Sequence, residues 1–222
     1  MSEHRRAGPP ARASRPPAAG AGGPSREPGA ANEERSGEER SNEVADRYRR
    51  LARSFTDRVE AVPEDRWENP SPCAGWTARD VVRHMVETSE LFLGMVGLEL
   101  PAGPSVDDDP VGAWASACEA MQAALDDPEK ASLSYEGRFG PTTLEQGVGR
   151  FVCADLVVHT WDLARATGLD ERLDPDDVHE LLIDMEPMDE IMRESGAFGP
   201  KLDPPEGADE QTRLLAFLGR AV

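Results

Sequence analysis

Three side chains in this sequence have the types and spacing to hold a metal ion: His84, Asp155 and His159. Asp155 and His159 are four residues apart in R-F-V-C-A-D-L-V-V-H-T-W-D-L-A-R-A-T-G, residues 150–168. On a helix they lie one turn apart on a single face. That face also carries Phe151, Val152, Leu163 and Ala166, while Leu156, Val157 and Trp161 occupy the rest of the circumference. A helix apolar nearly all round is expected to be buried. A carboxylate and an imidazole left unpaired in a core cost roughly several kcal/mol. Either a bound cation or a closed hydrogen-bond network must compensate. With His84 from an earlier helix, two imidazoles and a carboxylate make a three-ligand set that keeps a fourth position open, as catalytic zinc sites do. Zinc, nickel, cobalt and iron would all accept it. The spacing is neither H-E-x-x-H nor the repeated Glu-x-x-His of di-iron bundles.

Asp162 falls on the same helical face, where it could hold His159 in orientation or pair with Arg165, three residues on. Cys73 sits in a Pro-rich loop, either as a soft ligand or nucleophile or as a small packing residue. Trp76, Trp161 and the methionines of the late helices read as core. His4 and His179 belong to no pattern, and no catalytic residue beyond the ligand set is identified.

The elements that must position these groups are helical. Val44, Tyr48, Leu51, Phe55, Val59 and Val62 recur at spacings of three and four, predicting a helix over about 42–62. Residues 66–77, R-W-E-N-P-S-P-C-A-G-W-T, form a structured loop. Its Thr77 opens a second helix through a capping box with Asp80. Asp109 and Pro110 start a third helix, with Val111, Trp114, Cys118, Met121 and Leu125 on its stripe. Residues 131–141 read as extended or irregular, with Tyr135 and Phe139 as anchors. A second capping box, Thr142 to Glu145, is expected to open the long helix over about 143–167, with Gly168 as its C-terminal cap. Gly147 and Gly149 each cost that helix about 1 kcal/mol against Ala, implying close packing or room for a ligand. Asp174-Pro175 restarts a helix that Pro187 interrupts and that runs on to Gly196, and a last short helix covers about 209–219. The fold class is all-α: a four-helix bundle with short C-terminal helical additions, over residues 41–222.

Residues 1–40 contain no Val, Ile, Leu, Phe, Tyr or Trp, so they are expected to form a disordered tail. They hold seven Arg and six Glu, a net of +1, so of the chain's net −19 the remainder carries −20. So acidic a body repels phosphate backbones and anionic membranes, which argues against nucleic acid as a partner. Neither an export signal nor a spanning segment is evident, and three cysteines without pairing spacing fit a reducing compartment. The expectation is a cytoplasmic protein. Its partners would be a small-molecule substrate or a thiol, and a homodimer is compatible with the sequence.

The phrases W-E-N-P-S-P-C-A-G-W-T-A-R-D-V-V-R-H, V-H-T-W-D-L-A-R-A-T-G and G-A-F-G-P…Q-T-R-L-L-A-F-L-G-R resemble the DinB-like superfamily. More closely, they resemble the mycothiol-dependent maleylpyruvate isomerase type of metal-binding protein. The resemblance covers roughly residues 42–222. It implies a DinB-like bundle holding a divalent metal, usually zinc, through His84, Asp155 and His159, with mycothiol as thiol cofactor. Two departures stand out. The family's isomerases carry Glu where this chain has Asp155, and they have a separate C-terminal domain, for which the stretch after Gly168 is too short and too helical. The expectation is a metal-dependent enzyme, of transferase or isomerase type, in which a thiol attacks an electrophilic small molecule. The alternatives are a metal-dependent hydrolase and a non-catalytic binder of metal or small ligand.

Overall fold

The structure is a computed structural model; it describes residues 28–138, 140–194 and 200–222, with the side chains of residues 28–42, 191, 192 and 194 outside that description. His4, Phe139, Gly196 and residues 1–27 of the expected tail therefore lie outside the described residues.

The four long helices pack in a ring. Helix α1 (Pro28–Ala61) lies against α3 (Pro110–Leu125) and α6 (Cys153–Thr167), and α2 (Ala78–Met95) closes the ring against the same two. Every helix of the ring gives its apolar stripe to one core, whose centre holds Tyr48, Phe55, Met85, Trp114, Leu156 and Leu163. Phe55 meets Trp114 edge to face at 4.9 Å. The Trp114 indole N–H donates to the Thr56 hydroxyl at 2.8 Å, which removes the cost of burying it. The fold is the all-α, DinB-like bundle.

Helix α1 begins at Pro28, upstream of the expected start. Residues 28–41 are rich in Ala, Glu and Arg, good helix formers. They offer no large apolar residue, so the packing stripe still begins near Val44 and Ala45. A short helix α4 (Pro128–Ala131) follows α3. The stretch expected to be irregular is an antiparallel hairpin, β1 (Ser134–Gly137) with β2 (Gly140–Thr143), in which Tyr135 pairs with Thr142.

The long helix starts one residue later than expected. Thr143, not Thr142, is the N-cap, accepting from the Gln146 N–H while Gln146 reaches back to the Thr143 N–H. Thr142 is committed to the strand and spends its hydroxyl on the Gln146 side chain at 3.1 Å. The helix is also not uniform: α5 (Leu144–Gly147) passes through a π-helical turn, Val148–Val152, into α6. Both glycines answer to close packing. A Cβ on Gly147 would stand 2.2 Å from the Tyr135 hydroxyl, and one on Gly149 3.2 Å from Val44. Gly168, at φ 74°, ends α6 in the left-handed conformation.

Helix α7 (Pro175–Met185) opens on the Asp174 cap, and Pro187 forces a 3-10 turn before α8 (Asp189–Glu194). Helix α9 (Glu210–Phe217) packs on α7 and brings the C-terminal strand of chain, including Arg220, back toward α6. No helix of the described residues is long and apolar enough to cross a membrane.

Candidate metal centre

His84 reaches the site because the capping box expected at Thr77 is formed and sets the phase of α2. The Thr77 N–H and hydroxyl both donate to Asp80 Oδ2, at 2.9 and 2.8 Å, and the Asp80 N–H donates back to Thr77. The preceding loop is tied as firmly. Its ends close through Ser71 N–H to Trp76 O and Ala78 N–H to Asn69 O. The Asn69 amide donates to Ala166 O near the end of α6. Gly75 supplies the one left-handed residue of the turn, at φ 81°. This loop carries Cys73 and Trp76 to the C-terminal half of α6, beside Asp162 and His159.

The three expected ligands converge. One donor atom from each of His84, Asp155 and His159 lies within 4.8 Å of the others. His84 Nε2 is 3.4 Å from Asp155 Oδ2, and the two imidazole centroids are 4.8 Å apart. The environments differ from the all-buried expectation. His159 is buried, whereas the side chains of His84 and Asp155 are 31% and 39% exposed, because the bundle opens into clefts on either side of them. A half-solvated carboxylate carries a smaller desolvation cost than a core one.

Asp162 is paired with His159, and the alternative partner, Arg165, goes instead to Glu171 at 3.1 Å. Asp162 Oδ2 meets His159 Nδ1 at 2.9 Å, which leaves Nε2 as the nitrogen to face a ligand. Burial alone would raise the Asp162 carboxyl, but hydrogen bonds from His159 and Arg220 hold it down to about 2. Arg220 donates to it at 2.8 Å and passes 3.6 Å from Cys73 Sγ. The Cys73 thiol donates to Asp162 at 3.3 Å. Burial and that neighbouring carboxylate push the thiol up to about 12, so it stays protonated at neutral pH and is a poor nucleophile. Cys73, His159 and Asp162 also lie close enough together to hold an ion. The Arg220 guanidinium on Asp162 opposes a second cation there, so the donor chemistry favours the His84 set.

Two expectations of plain core change. Trp76 is half-buried, with its ring centroid 5.1 Å from His84 and 6.0 Å from His159, stacked on the latter. Met185 and Met188 are likewise part-exposed and border a cavity of about 310 Å³ beside α6. Trp161 is buried as expected. Sequence reasoning gave Arg220 no role, although it ends the third of the phrases that carry the resemblance. It is 58 residues from its partner Asp162 and follows the last helix, so no spacing links the two.

Among known families, that of the mycothiol maleylpyruvate isomerase N-terminal domain matches residues 48–164, a span that contains all three convergent ligands. Two proteins of Mycobacterium tuberculosis, from strains CDC 1551 / Oshkosh and ATCC 25618 / H37Rv, are each 27% identical over 179 residues, covering 79% of this chain and 96% of theirs. Both bear the name uncharacterized protein. No solved structure matches.

Proposed function

The chain belongs to the mycothiol maleylpyruvate isomerase N-terminal domain family, and from that premise we propose that it is a divalent-metal-dependent enzyme that transfers or isomerises through a thiol cofactor of the mycothiol type. The observation that carries the reading is the convergence of His84, Asp155 and His159, with the second nitrogen of His159 held by Asp162. Two imidazoles and a carboxylate with one position left open fit zinc, the metal we propose. When bound, such an ion supplies the Lewis acidity that keeps a thiol sulfur deprotonated and ready to attack an electrophilic carbon.

The chain's own residues do the rest. Asp162 and Arg220 fix the tautomer and direction of His159. Trp76 stacks on that ring and shields it from water on the loop side. Cys73, held protonated, does not compete with the cofactor's sulfur. A cleft of about 720 Å³, bordered by His159, Trp76 and Arg220, is the place we assign to the thiol. A reducing, cytoplasmic setting is the one in which a free thiol cofactor and three free cysteines coexist.

Two measurements test this. His159→Ala is expected to lose bound metal on dialysis, and unchanged metal content overturns the site. The metal-loaded protein is expected to consume electrophiles faster with the thiol than without it, and identical rates overturn the thiol.

A further inference from the structure

The thiol-transfer reading leaves the electrophile without a place. His84, Phe151 and Asp155 border two clefts, not one. The first, assigned to the thiol, contains His159 and Arg220. The second, about 760 Å³, contains neither; it runs from His84 and Asp155 along the outer flank of α2 to the hairpin. Its size lies in the range of small-molecule sites, about 300–1,000 Å³.

The second cleft presents mostly apolar surface, with polar groups interspersed. Leu91, Phe92 and Met95 from α2 face Tyr135 from β1 and Phe151 from the π-helical turn. Leu91 and Met95 are 55% and 42% exposed, on a helix whose other large apolar side chains are mostly buried. Apolar side chains held open to solvent beside a chemically equipped site mark a ligand surface. The charged groups of the cleft, Glu136 and Asp155 against Arg138 and Arg150, balance in sign. The body around them is strongly acidic. The cleft's own side chains supply no net positive charge to hold a dicarboxylate along its walls. The only attraction for one would come from the ion at its inner end.

We propose that this second cleft is the electrophile subsite and that it takes an apolar, uncharged small molecule, delivered to the ligand set from the hairpin side. The assignment to an electrophile rests on the thiol-transfer reading; the apolar binding itself does not.

The test uses the full chain and the neutral fluorophore N-phenyl-1-naphthylamine. The double variant Leu91→Glu/Met95→Glu changes two exposed side chains, and its unfolding midpoint checks that it folds. Ala74→Glu places one such charge at the rim of the thiol cleft as the control. The double variant is expected to weaken fluorophore binding about tenfold or more, by putting charge on the apolar wall. Fluorophore binding by Ala74→Glu, and metal content in either variant, are expected to stay as in wild type. With thiol and metal present, the double variant is expected to raise KM for 1-chloro-2,4-dinitrobenzene by about the same factor, and wild type to prefer it over maleate. Equal binding in wild type and double variant overturns the cleft, as does equal loss in Ala74→Glu. Thiol-dependent turnover with unchanged KM overturns the electrophile subsite while the thiol reading stands. Fluorophore binding lost only in the double variant, with no thiol-dependent turnover in any protein, overturns the thiol reading and retains the cleft as an apolar-ligand site.

Discussion

At the scale of single residues, the site is governed by what surrounds each ligand. Asp162 has no exposed surface and shares its charge with His159 and Arg220. Asp162→Ala leaves the Arg220 guanidinium largely buried without its carboxylate. The expected cost is about 3–5 kcal/mol in denaturant unfolding, with metal affinity lowered about 10–100-fold through the freed imidazole. Binding titrations on Asp162→Asn, which keeps the volume, separate the two effects. Cys73→Ser keeps a donor to Asp162 and removes the sulfur. Metal content and thiol-dependent turnover are expected to change by less than about twofold, because the protonated thiol takes no part; a larger loss assigns Cys73 a chemical role. Asp155 is the residue the sequence placed least well. Its spacing from His159 was plain, but its half-exposed position follows from clefts that no local pattern encodes.

Among elements, α2 and the long helix do the positioning, and both can be perturbed without touching a ligand. The Asp80 carboxyl is held below the usual carboxylate range by hydrogen bonds from the Thr77 backbone and side chain. A depressed folded value means its stabilisation is complete above about pH 4 and lost as pH falls through the folded value. Asp80→Ala is therefore expected to lower the unfolding midpoint at pH 7 and to converge with wild type in acid. Equal differences at both pH values rule the box out as the source. Gly147→Ala gains about 1 kcal/mol of helix propensity but drives a methyl onto the Tyr135 hydroxyl. Overpacking of about 1–3 kcal/mol is expected to win, and adding Tyr135→Phe is expected to recover part of it, read by denaturant unfolding. The π-helical turn lies between the capped start of this helix and its ligand-bearing half, and it sets the phase at which Asp155 and His159 face α2.

For the whole molecule, stability and site are linked through the ring of helices. His84 comes from α2 and the other two ligands from α6, so an ion bound to all three ties those helices together. Saturating zinc is expected to raise the unfolding temperature in wild type and not in His84→Ala, since a ligand held only by the native state stabilises it. We propose, because residues 1–40 hold no Val, Ile, Leu, Phe, Tyr or Trp to bury, that they add nothing to the bundle's stability, and a chain beginning at residue 41 is expected to unfold at the same denaturant midpoint.

The helices, most of their caps and the ligand candidates were legible in the sequence. Amphipathic stripes, Thr77 with Asp80, Asp109 with Pro110 and the Gly168 stop are interactions among residues within about one helical turn, which a linear string displays. The pairing of Asp162 with His159 was half visible, because a three-residue spacing allowed Arg165 equally well. Tertiary structure alone decided that choice, by bringing Arg220 from the far end of the chain to complete the carboxylate's shell. It also decided the exposure of Asp155, the turn of Trp76 toward both imidazoles and the two clefts that meet between His84 and Asp155. Each of these depends on which surfaces remain uncovered once four helices and a C-terminal excursion have packed. That is a property of residues far apart in sequence, and no spacing records it.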